Sequence, residues 1–136
     1  MKIKGKKRII IFNSILFAIL FLSISFNKEI LRPIYNQTRF VGVLTGCFPN
    51  FIAALIIGLC FMNGIVTRKP KHERLIVYMS SIIIFVILAA EELMPMWGAS
   101  THYDLLDIVA SGVGSLFTIT IFELIVLRRK KNKLHS

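Results

Sequence analysis

Residues 40–67 read FVGVLTGCFPNFIAALIIGLCFMNGIVT, twenty-eight consecutive positions without a charged side chain. A helix of that length rises about 42 Å, and about 20 apolar residues suffice to cross the roughly 30 Å hydrocarbon core of a bilayer. The run is therefore read as a membrane-spanning helix. Three more uncharged runs accompany it, at 9–27, 75–90 and 108–122. In a chain of 136 residues that is 55% hydrophobic and 18% charged, with a mean hydropathy of +0.71, four such runs leave no room for a sizeable water-soluble catalytic domain. Backbone polar groups in lipid must be satisfied within their own segment, and the runs lack the alternation of barrel strands. The expected fold is an all-α membrane protein. Four transmembrane helices, at approximately 9–27, 41–63, 75–93 and 105–127, form a bundle that makes 1–136 a single integral membrane domain.

Charge placement orients the spans. The net charge is +10, with seventeen Lys and Arg against seven Asp and Glu. Lys2, Lys4, Lys6, Lys7 and Arg8 precede the first run; Arg68, Lys69, Lys71 and Arg74 separate the second from the third; Arg128, Arg129, Lys130, Lys131 and Lys133 follow the fourth. Only Lys28, Arg32 and Arg39 fall on the alternate side, where Glu29, Glu91, Glu92, Asp104 and Asp107 gather. The positive-inside bias then puts both termini of this multi-pass chain in the cytoplasm. Bases confined to the span ends argue against nucleic acid as a partner; they are expected to meet anionic inner-leaflet lipids, each contributing about 1 kcal/mol.

Smaller signals add little. A Lys-rich start followed by 9–22 and Ser23-Ile24-Ser25 has the outline of a signal peptide, but the small-x-small site is weak and bulky Phe26 follows, so a retained anchor is expected. Cys47 and Cys60 stand thirteen positions apart in one span, about 20 Å along a helix, too far to bond each other. Asn36-Gln37-Thr38 matches a glycosylation acceptor, which matters only in a eukaryotic secretory cell.

Within the second run Gly42, Gly46 and Asn50 recur every four positions, aligning small residues and an amide on one helix face beside Pro49. That face either packs closely against a neighbouring helix or, if proline breaks the helix, lines a polar pocket with freed carbonyls. The third run is short: sixteen uncharged residues, 75–90, rise about 24 Å, which draws Glu91 and Glu92 toward the membrane edge. Arg74 is expected to snorkel at its inner end, and Trp97 fits an interfacial anchor beyond its outer end. In the fourth run Asp104, Asp107, Ser111, Gly114, Ser115 and Thr118 fall within about 100° of arc, opposite Leu105, Leu106, Val109, Val113, Leu116 and Phe117. The first set is expected to face neighbouring helices and the second lipid. Glu123 lies off the polar face and is expected to pair with the Arg128 to Lys131 cluster.

Glu91 and Glu92 end one helix while Asp104 and Asp107 begin the next, so a short loop should bring four carboxylates to one outward-facing pocket. Such acids pair with Arg32 or Arg39 from the first loop, share protons, or bind a ligand. Neither the spacing around His102 nor any other grouping supports a metal, and no nucleophile motif appears; no catalytic residue, metal or cofactor is assigned. The small-residue faces at Gly42/Gly46 and Ala110/Gly114 support an alternative, an accessory or assembly subunit docking on another membrane protein.

At these residues the sequence resembles the VanZ-like family of small bacterial membrane proteins. Glu92 matches the acid that ends one helix in that family, and Asp104-Leu105-Leu106-Asp107 with Gly114 matches its Asp-x-x-Asp pair and following glycine. Pro95 stands where the family has glutamine, Thr101 or His102 where it has arginine, and Ser111 where it has asparagine. The likeness covers roughly 80–127, with a weaker echo in Phe48-Pro49-Asn50. It implies a cell-envelope role, with members linked to reduced susceptibility to the glycopeptide teicoplanin. Glu91, Glu92, Asp104, Asp107 and Ser111 would then meet a lipid-linked or cationic ligand, with Gly114 allowing close helix approach.

Overall fold

The computed structural model describes residues 2–35, 37–94 and 105–134, which are helical apart from short turns and contain no strand. Helix α1 (Lys2–Phe26) continues through a π-helical turn (Asn27–Leu31) into the short α2 (Arg32–Tyr35); α3 (Arg39–Arg68), α4 (Glu73–Leu93) and α5 (Leu105–Leu134) follow. Among the described residues four segments are long and apolar enough to cross a membrane: Lys6–Tyr35, Phe40–Arg68, Glu73–Leu93 and Leu105–Asn132. The helices outrun the uncharged runs because Lys, Arg and Glu are good helix formers and extend each end into charged sequence. α3 stops where Lys69 adopts a left-handed backbone, φ 49°, its N–H reaching the Ile65 carbonyl at 2.8 Å. Pro70 then prevents continuation.

Side-chain pairs fix the directions of the helices. Asn13 meets Asn63 and Asn27 meets Thr45, so α1 runs antiparallel to α3. Gly114 lies against Ala54 while Arg129 reaches Val66, so α5 runs parallel to α3. Arg74 meets Glu123 and Phe85 lies by Gly112, so α4 is antiparallel to α5. The three basic segments of sequence therefore come to one end of the molecule, and the acidic helix ends to the other.

The packing is uneven. Helices α3, α4 and α5 all touch one another, whereas α1 packs on α3 and touches neither α4 nor α5. The expected bundle is thus a three-helix core with one helix attached alongside. Met62, Val77, Phe122 and Val126 form its buried apolar cluster near the basic end. Toward the acidic end the contact is made by small residues. A Cβ on Gly114 would lie 2.5 Å from the Phe51 carbonyl oxygen and 2.9 Å from the Ala54 Cβ, and one on Gly58 would run into the Thr118 side chain. Lipid tails are as apolar as leucine, so helices in a bilayer gain by such close van der Waals contact more than by hiding apolar surface. Phe51 and Phe117 add an edge-to-face contact with centroids 5.8 Å apart. On α5 the expected faces appear: Ser111, Ser115 and Thr118 are buried, and Leu105, Leu106, Val109, Val113, Leu116 and Phe117 are exposed.

Pro49 does not break α3, which is one continuous helix. A proline inside a helix supplies no N–H to the carbonyl four residues back, here that of Thr45. Asn27, 1% exposed at the start of the π-helical turn, donates its side-chain amide to that carbonyl at 2.7 Å. The carbonyl freed by Pro49 is therefore taken up by an asparagine of another helix and does not line a pocket with Asn50, which is half-buried. At the other end of α1 Asn63 donates to Asn13 at 2.9 Å, and Asn13 reaches the Cys60 carbonyl at 3.5 Å. These amide contacts hold a helix on which no residue from Lys6 to Phe26 is buried.

Candidate functional site

The antiparallel α4–α5 pair brings Glu91 and Glu92, in the last turn of α4, to the same end as Asp107, in the first turn of α5. Glu91 is exposed, while Glu92 and Asp107 are half-buried. One carboxylate oxygen of Asp107, Oδ1, is shielded from solvent altogether. One turn further along α5, Ser111 is 1% exposed and its hydroxyl donates back to the Asp107 carbonyl at 3.0 Å. Ser111 therefore lies beneath the acidic rim and is bonded within its own helix. Asp104, the fourth expected acid, lies outside the described residues, as do Asn36, Pro95, Trp97, Thr101 and His102. Arg32 is exposed on α2, which packs on α3 and the π-helical turn and touches neither α4 nor α5.

The expected small-residue face of α3 divides. Gly46 faces open space, since an added Cβ would meet nothing within 4 Å. Gly42 serves locally, accepting the Thr45 hydroxyl on its carbonyl at 3.0 Å. The close approach is made instead by Gly58, and Gly114 on α5 is occupied by α3 of the same chain. The Ala110/Gly114 face is therefore closed at Gly114 to any docking partner. Sequence reasoning passed over Gly58, Asn13, Asn27 and Asn63; the amides carried a readable signal, being hydrogen-bonding groups inside apolar runs.

At the opposite end Glu123 pairs with Arg74 of α4 at 3.1 Å and accepts the Tyr78 hydroxyl at 2.8 Å. This corrects the expectation that it pairs with the Arg128 to Lys131 cluster on its own helix. Those residues lie more than a turn further along α5, whereas antiparallel packing delivers Arg74 to the same depth. Arg129 bonds the Val66 carbonyl at 3.0 Å and stands 3.7 Å from Glu73. Among the described residues no three His, Cys, Asp or Glu side chains converge in a way that could hold a metal.

Comparison with family models, with curated proteins and with solved structures found no match.

Proposed function

We propose that this chain is a multi-pass protein of the bacterial cytoplasmic membrane, both termini inside. Its role is in the cell envelope, as the VanZ-like resemblance implies, and its acidic rim receives a lipid-linked or cationic ligand at the outer leaflet. The observation that carries this reading is the position of Glu92 and Asp107. They come from the ends of two different helices to one rim, and both are half-buried there over the tightly packed Ser111 to Gly114 stretch of α5. Carboxylates held at a membrane edge are costly, and that cost is ordinarily met by a cationic partner or a functional ligand.

The proposed role is binding, and no catalytic residue is assigned. Replacing Asp107 by Asn keeps the side-chain volume and removes the charge. The expected result is raised teicoplanin susceptibility at unchanged membrane abundance, with Glu92→Gln acting in the same direction. Unchanged susceptibility at unchanged abundance in both variants would count against the rim having this role.

A second reading, an accessory subunit docking on another membrane protein, is favoured by the open space at Gly46. A stable partner copurifying in mild detergent and lost on Gly46→Leu, with Asp107→Asn harmless, would select it.

A further inference from the structure

A crevice of about 460 Å³ opens at the basic end, between the α3–α4 turn and the last turns of α5, and its walls include Lys69, Glu73, Val126, Arg129 and Lys130. Ligand pockets commonly fall between about 300 and 1,000 Å³. We propose that this crevice binds the phosphate group of an anionic phospholipid. The inference rests on reading the four helices as membrane spans and is independent of the acidic rim.

Three observations carry it. The first is charge: three cations, Lys69, Arg129 and Lys130, share the crevice with one carboxylate, Glu73, which already stands 3.7 Å from Arg129. The second is preorganisation. One guanidinium nitrogen of Arg129 is anchored on the Val66 carbonyl at 3.0 Å, so the planar group is held in place while other N–H donors of its fork remain for an anion. Lys69 is the only non-glycine with a positive φ among the described residues, at a helix end where glycine is the usual occupant. A lysine there accepts backbone strain at a position that lines the crevice, followed by rigid Pro70.

The third observation is depth, and it selects a lipid over a soluble phosphate. Lys69 follows directly on the apolar span Phe40–Arg68, and Glu73 opens the next, Glu73–Leu93. The crevice thus sits where spans end, at headgroup level, with Val126 as an apolar wall. Basic pockets between helix ends on the cytoplasmic side are suited to anionic headgroups.

The test uses the full chain in neutral detergent micelles, titrated with phosphatidylglycerol or phosphatidylcholine and read by native mass spectrometry. Phosphatidylglycerol is expected to bind at least about tenfold more tightly. Lys69→Gly relieves the strained backbone while removing a charge, so the variant K69G/K130Q keeps its fold. It should lose about fivefold for each basic residue, roughly twenty-five-fold together. The charge-matched variant R128Q/K131Q, altered beside the crevice and not in it, should change less than about threefold. Equal losses in both variants would overturn the site in favour of diffuse attraction. Inorganic phosphate displacing the lipid at equal concentration would overturn the lipid as occupant and assign the site to free phosphate. Equal binding of the two lipids would overturn both.

Discussion

Pro49 and Asn27 form a pair that can be tested as a pair. The proline leaves the Thr45 carbonyl without its helical donor, and the asparagine supplies one from another helix at 2.7 Å. Interhelical hydrogen bonds in membranes average about 0.6 kcal/mol and reach about 1.7. Asn27→Leu is expected to lower stability in detergent by about 1 kcal/mol, read as a shift in the thermal midpoint. Pro49→Ala returns an N–H to position 49, so Asn27→Leu should cost much less in that background. A loss of the same size in both backgrounds would mean that the amide acts by something other than answering the proline. Glycines give a second contrast. Gly114→Leu forces a side chain against the Phe51 carbonyl and Ala54 and should cost at least 1 to 3 kcal/mol, whereas Gly46→Leu enters open space and should leave the thermal midpoint nearly unchanged.

At the scale of elements, sequence periodicity served where burial followed one helix's own geometry. The polar and small residues of α5 fall on one side because each position turns by about 100°, and that side is the one buried against α3 and α4. The four long apolar helices were legible for a similarly local reason, since uncharged length sets whether a helix is able to cross lipid. Contacts between helices were not legible. Asn27 answers a proline 22 positions away, and Glu123 finds Arg74 instead of the nearer tail cluster, because both depend on which helix lies beside which. Of the candidate site, the shared end of Glu92 and Asp107 followed from a short connection between adjacent helices, and Ser111 was placed on the correct side of α5. That its hydroxyl bonds back to Asp107 depends on a rotamer that no pattern of residue types specifies.

For the whole molecule, the separation of charge is the largest-scale feature. Fourteen of the seventeen Lys and Arg belong to segments that the helix directions bring to one end. If that end is cytoplasmic, a phosphatase reporter fused after Ser136 or inserted at 69–72 should be inactive, and one inserted at 95–104 should be active. The reverse pattern would turn the acidic rim toward the cytosol and remove its proposed access to the envelope.

The attachment of α1 also has a meaning in time. Protein synthesis is vectorial, so α1 is complete before the helix it is fastened to exists. Asn63 is made fifty residues after Asn13, a delay of roughly 3 to 10 s at ordinary elongation rates. During that interval Asn13 has no amide mate inside the chain, whereas Thr45, the acceptor for Asn27, follows Asn27 by only eighteen residues. The first-born helix is therefore also the first that can be latched, closing on α3 before α4 and α5 are made.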